Sequence, residues 1–407
     1  MLGISNFIGS INQYYKKFFA FASAPVLYNF GLIIGIVFFY NYFGIFGLGL
    51  GVILGGIFHL CTQLVAYFSS DYTLSFVKVR DFKVVKDILK ISIPRTLTLS
   101  FSSLLMIIIT SIASRYSTGS ISLMTFAFNI AMVPLGLIGI PFATAVFPYL
   151  VTLYAEKKES AFPVIESTME RIIFWSSSLI VLFIVFRAHI VRVILGTSRF
   201  SWLDTTMTSA LVFILLIGVL FQGVNNLFIR VYYAQGNTKK PLLITLFGFI
   251  ITSVLLFTIV VSTHNTLNDT MVRALRLFTS RNTEIILIAV AYSLGTIVTT
   301  GFFLYHYQRD HTHHIVSLFF KNLIMSLGHA LVLGFLSKAL LMLFEGFGQM
   351  KTVLGILMQA GFSGLLAIGF WMVYLVIIKS EHVLFITNIV KSFFNTHKVI
   401  LEETTDL

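Results

Sequence analysis

The sequence predicts an all-α, polytopic membrane protein with about ten complete transmembrane helices. Three observations carry that expectation. The 407 residues are 57% hydrophobic and 11% charged, against roughly 25% charged in soluble domains. The apolar residues gather in runs of about 20 or more, the length a helix needs to cross a bilayer. The 42 Phe and 16 Tyr suit lipid-facing and interfacial positions. Such a bundle is held by shape and interhelical hydrogen bonds rather than by the expulsion of water.

In chain order, the runs lie near residues 22–41, 45–68, 91–114, 121–150, 165–186, 206–235, 241–262, 284–306, 315–343 and 352–378. Met1 to Tyr15 reads as a partial span. The N-terminus has no basic segment ahead of a clean apolar core, so it does not read as a signal peptide. The linkers are short, with no soluble domain between them. The tail after Lys379 is polar and ends acidic. Cys61 is the only cysteine, which excludes a disulfide framework and a thiolate metal cluster. It lies in an apolar run and reads as a packing residue. The net charge of +12 invites a nucleic-acid partner. That class is excluded because the basic residues sit between spans rather than on one soluble face.

Charge also orients the bundle. With residues before 22 on one side and alternating spans, that side collects about twice the Lys and Arg of the other. It holds Lys16, Lys17, the cluster from Lys78 to Lys90, Lys239, Lys240 and Lys379. This side, with the C-terminal tail, is expected to be cytoplasmic. Two linkers read as more than loops. Val77–Lys90, VKVRDFKVVKDILK, mixes basic and apolar residues at helical spacing and reads as a helix on the anionic cytoplasmic surface. His189–Phe200 is too short to span and too apolar to be free, and is expected to dip into the outer interface.

The stretch Ile121–Pro148, ISLMTFAFNIAMVPLGLIGIPFATAVFP, is the most informative. Pro134 and Pro141 break it, and Asn129 precedes the first break by little more than one turn. Proline removes a backbone bond and frees a carbonyl, tolerated in lipid only where protein or a watered cavity covers it. The helix therefore reads as the wall of a pathway. Other polar groups at membrane depth are Arg95 after Pro94, then Ser100, Ser102 and Ser103, and the cluster Gln222, Asn225 and Asn226 before Arg230. Interhelical hydrogen bonds and, for Arg95 and Arg230, snorkelling to headgroups are the competing readings. Catalysis has little support. Glu166 and Glu170 sit at a helix start beside Arg171, where carboxylates suit the dipole. Of His311, His313 and His314, only the first and last share a helical face, so the run reads as an interfacial loop without a metal. No Gly-rich phosphate-cradling loop is present. No cofactor is expected.

These residues carry a resemblance. The run PRTLTLSFSSLLMIIITSIASRYSTGSISLMTFAFNIAMVPLGLIGIPFATAVFP closely resembles the seventh and eighth spans of the MurJ/MviN lipid II flippases, within the multidrug/oligosaccharidyl-lipid/polysaccharide exporter superfamily. FASAPVLYN resembles the start of that family's fifth span, IVRVILGTSRF the stretch between spans nine and ten, and RVYYAQGNTKKP the turn between ten and eleven. The match runs from about Phe21 to Phe257 and is weak beyond. It implies a two-lobed, all-helical transporter that moves an undecaprenyl-pyrophosphate-linked peptidoglycan precursor outward by alternating access, in a bacterial inner membrane. It assigns 1–70 to the end of span four with spans five and six, and 71–90 to a cytoplasmic amphipathic linker. Residues 91–310 are then the second lobe, 311–378 two spans forming a lipid-tail groove, and 379–407 a cytoplasmic tail.

Two departures matter. By this register the chain starts inside the fourth span, so a partial two-lobed fold is expected, with a separate chain as one source of the first spans. Asn129 stands where the family pattern has arginine, and Phe128 where an acidic residue is common. An amide bonds phosphate without charge, and charge-assisted bonds are roughly twice as strong. The expected partners are a lipid-linked saccharide and membrane lipids. Other cargoes, or a membrane scaffold that has kept the fold without the route, are the alternatives.

Overall fold

The computed structural model describes residues 1–15, 17–69, 82–116, 118–156, 161–197, 200–262, 266–275, 283–311, 313–346 and 352–383. They are helical, with no strand among them. Ten helices are long and apolar enough to cross a membrane. They coincide with the ten apolar runs, because a 20-residue apolar segment in lipid can satisfy its backbone only as a helix. The chain divides into two compact units, Met1–Phe82 and Lys83–Leu407.

The first unit contains α1 (Leu2–Tyr14), α2 (Phe18–Ile34), a π-helical turn (Gly35–Phe39), α3 (Tyr40–Phe43) and α4 (Ile45–Phe68). Gly44, at φ +55°, reverses the chain between α3 and α4, a conformation only glycine adopts without strain. Small residues let α2 and α4 meet backbone to backbone. A Cβ added at Gly31 would lie 2.4 Å from Gly55 Cα, and one at Gly35 would lie 2.5 Å from Gly51 Cα. Polar ties fasten α1. Asn12 donates to Gln63 Oε1 at 2.8 Å, and Gln63 donates to the Ala20 carbonyl at 3.2 Å. Cys61 is exposed rather than packed: it lines an open, largely apolar pocket between α2 and α4.

The second unit begins in α5 (Phe82–Ala113). The part of the expected surface helix from Phe82 to Lys90 is the first turns of α5, continuous with the span. The one breaker, Pro94, frees only the Lys90 carbonyl near the helix end. Val77–Asp81 lie outside the described residues. Then come α6 (Ser120–Ala131), a second π turn (Leu135–Gly139), α7 (Ile140–Ala155), α8 (Ala161–Leu195) and α9 (Trp202–Ala234). His189–Leu195 is not a separate interfacial dip. It is the end of α8, which contains no Gly or Pro after Pro163 and stops at Gly196. Arg192 donates to the Phe200 carbonyl at 2.9 Å, folding the chain back. A capping box follows, Ser201 with Asp204, and starts α9.

The chain continues through α10 (Lys239–Ser262), α11 (Thr266–Leu275), α12 (Ile285–His311), α13 (Ile315–Leu343) and α14 (Val353–Ile377). The short α11 is too polar to span. Its Met271, Val272 and Leu275 pack on the core. The central helix is α9, whose apolar window is 78% buried, against 22% for α14. It is all-round apolar with polar exceptions, as a helix wrapped by neighbours must be. On the outside, α13 and α14 pack with α8 around Phe174, Leu333 and Trp371.

A polar belt ties the ends of four helices. Lys240 pairs with Asp310, which also accepts from Tyr232 at 3.3 Å, while Gln235 donates to Tyr154 at 2.9 Å. The expected histidine loop is part of this region. His311 lies against Gln235 Nε2 at 3.0 Å and His313 stacks on Phe162 at 3.8 Å.

Candidate functional site: an amide-lined cavity beside a widened helix

The wall predicted from Pro134 and Pro141 changes its hydrogen-bond pattern between those two prolines. α6 ends at Ala131, Leu135–Gly139 makes the π turn, and α7 starts with Pro141 in its first turn. The chain stays helical through this turn, so the missing N–H of Pro141 leaves a carbonyl of the preceding turn without its partner. The wider turn lets α9 approach: a Cβ on Gly139 would lie 2.9 Å from Gly223 Cα. That contact sets Gln222, Asn225 and Asn226 beside α6.

A cavity of about 440 Å³ opens there between α5, α6, α9, α10 and α12. It gathers Ser103, Asn129, Gln222, Asn225 and Asn226. Each amide is held differently. Gln222 Oε1 accepts from the Tyr292 hydroxyl at 3.2 Å. Asn226 donates to the Gln222 carbonyl at 2.9 Å. Asn225 is 7% exposed and its Oδ1 has no hydrogen-bond partner. Asn129 is exposed and lines the cavity. No charged side chain is among the described residues that line it.

The sequence reading missed the aromatic side of the site. Phe128 meets Tyr292 edge to face at 4.9 Å, and both line the cavity. A tyrosine in an apolar span carries no local signal that its hydroxyl will meet a glutamine on another helix. Arg95 does not join the group. Its guanidinium lies 4.5 Å from the Tyr233 ring centroid, a cation–π contact, and it is not among the cavity-lining residues. It precedes Ser103 by about two turns, roughly 12 Å along the axis. Arg230 also has a packing role, donating to Thr144 Oγ1 at 2.8 Å and to the Asn226 carbonyl at 3.1 Å. The hydroxyls of Ser100 and Ser102 bond back to their own helix.

Neutral donors, acceptors and ring faces in one cavity can hydrogen-bond a polar ligand and stack on it. The model of the lipid II flippase MurJ family matches residues 1–363. The chain belongs to the MurJ family. Curated relatives include a probable lipid II flippase MurJ from Borreliella burgdorferi, 27% identical over 59% of this chain and 48% of the relative. One from Rickettsia prowazekii is 27% identical over 61% and 50%. A lipid II flippase MurJ from Burkholderia cenocepacia is 25% identical over 62% and 50%. The chain spans about half the length of the curated relatives it matches.

Among solved structures, lipid II flippase MurJ in an inward closed conformation aligns with a TM-score of 0.63 at 19% identity, over 90% of this chain and 70% of that one. An inward-facing MATE-family multidrug transporter of the MOP superfamily gives 0.57 at 15%, over 74% and 64%. Both likenesses are of fold. The MurJ family is one of multi-pass transporters, and this chain shares its all-helical membrane architecture.

Proposed function

We propose that this chain works as a MurJ-type lipid II flippase, moving undecaprenyl-pyrophosphate-linked peptidoglycan precursor across the cytoplasmic membrane by alternating access. One observation supports this most: Ser103, Asn129, Gln222, Asn225 and Asn226, far apart in sequence, line one cavity at a widened helix. In this reading the amides exchange hydrogen bonds with sugar and peptide groups, replacing those lost to water. Phe128 and Tyr292 offer faces to the sugar rings. The π turn between Pro134 and Pro141 is the compliant point, because its backbone bonds are already irregular. The helices α13 and α14 take the lipid tail. The chain acts as a transporter and not as an enzyme, with its C-terminus in the cytoplasm. A separate chain with the remaining spans of the family fold is its partner.

A second reading is favoured by the neutral lining: the cargo is another polyprenyl-linked saccharide. Complementation separates the two. Cells depleted of their own flippase receive this chain together with the family's first spans. Restored growth is expected, with loss on Asn129→Leu/Asn225→Leu. No rescue, with both chains in the membrane, refutes lipid II transport. Asn129→Arg adds charge towards a pyrophosphate. If lipid II transport does not rise with it, the second cargo gains. A reporter active only in the cytoplasm, fused at the C-terminus, tests the orientation.

A further inference from the structure

A second cleft, of about 360 Å³, lies between α8, α13 and the turn after α14. α8 contributes Glu166 and Glu170, which share a face at i,i+4. α13 contributes Lys321, Asn322, Ser326 and His329, and the turn after α14 contributes Glu381 and His382. We propose that this cleft binds the primary ammonium headgroup of an aminophospholipid.

The first argument is charge. His382 Nε2 lies 3.4 Å from Glu170 Oε1, and its ring stacks on Phe174 at 3.6 Å. Burial, with His329 and Arg171 nearby, pushes the His382 imidazole down to about 4. It is therefore neutral at neutral pH, and the contact with Glu170 is not an ion pair. Among the described residues, the charged neighbours of Glu170 are Glu381, Glu166, Arg171 and Lys321. Three carboxylates against two cations leave an excess negative charge, which an ammonium balances.

The second argument is an unused polar group. Ser326 is 3% exposed and lines the cleft, and its hydroxyl makes no hydrogen bond to another described residue. A buried hydroxyl facing a cavity without a partner is a place for a ligand or a water. The third is position. Met325 (55% exposed) and Ile378 (42% exposed) line the same cleft, so its wall continues onto the lipid-facing surface. The cleft runs along the first half of α13 and reaches the residues just after α14, and in this proposal it lies at the level of the lipid headgroups. A primary ammonium brings N–H donors to Glu166 and Glu170, and its phosphate meets Lys321 and Asn322. Choline has the charge without the donors, and an anionic headgroup meets the excess negative charge.

The test is native mass spectrometry of the full chain, delipidated and titrated with lipids of identical acyl chains. The headgroups are ethanolamine, its mono- and dimethyl forms, choline and glycerol. Ethanolamine is expected to bind about tenfold tighter than choline, falling stepwise with methylation. Glu166→Gln/Glu170→Gln should flatten the series. A flat series in the unaltered chain, or preference for phosphatidylglycerol, overturns the proposal, and neither requires a variant to fold. A series that survives the double substitution places the preference elsewhere and overturns it too. Free phosphoethanolamine competing as well as the lipid would refute the lipid as the source.

Discussion

Two helices in this chain widen by one π turn and use it differently. In the first unit the turn is Gly35–Phe39, in the second Leu135–Gly139. The first is flanked by glycines that press α2 and α4 together backbone to backbone. It has an apolar seam behind it, and Pro25 sits well before it inside regular α2. The second lies between Pro134 and Pro141 and has an amide-lined cavity beside it. A break in a membrane helix is therefore not a site in itself. What stands next to the freed backbone decides whether it packs or binds.

The largest expected effect breaks the comparison on the packing side. Gly31→Val drives a side chain into Gly55, where even a Cβ would lie 2.4 Å from backbone. Overpacking against backbone should cost about 3 kcal/mol, read as a loss of helicity at lower SDS in a detergent unfolding titration. Headgroup binding by the second unit should then change far less than stability. Next is Asn129→Leu, which removes an amide from the cavity while leaving the fold intact. Cargo affinity should fall about tenfold, measured by titration with the lipid-linked saccharide, with unfolding unchanged. A loss of stability instead would make Asn129 a packing residue.

Asn225→Leu is smaller and opposite in sign between its two readouts. Its Oδ1 is buried without a partner, so replacement should leave stability unchanged or raise it by about 1 kcal/mol, while affinity drops. The smallest effect is Gly136→Ala. Nothing lies within 4 Å of the added Cβ, and helical Gly to Ala is favourable by about 0.5–1 kcal/mol. A large loss there would show that the second π turn must flex.

Much of the second unit is legible in the sequence. Its eight spans follow from hydropathy, and Pro134 with Pro141 marks where the wall changes. The first π turn is not legible. It lies where Gly35 meets Gly51, an approach that a glycine in one apolar run cannot announce. The continuous end of α8 was also missed, because an apolar segment past a span's length is equally readable as a dip or an extension. For the site, polar residues at membrane depth were the visible signal. Which of them converge was not. Arg95, a candidate by its charge, lies over Tyr233 instead, while Tyr292, which carries no local signal, holds Gln222.

The sequence by itself determined the helical class, the ten spans and the place of the second break. Those are local properties: a chain in lipid must satisfy its own backbone, and proline cannot. The tertiary structure alone decided that Gly223 approaches Gly139. That one contact brings three amides of α9 to Asn129, and it depends on two surfaces fitting, which no single stretch of residues encodes.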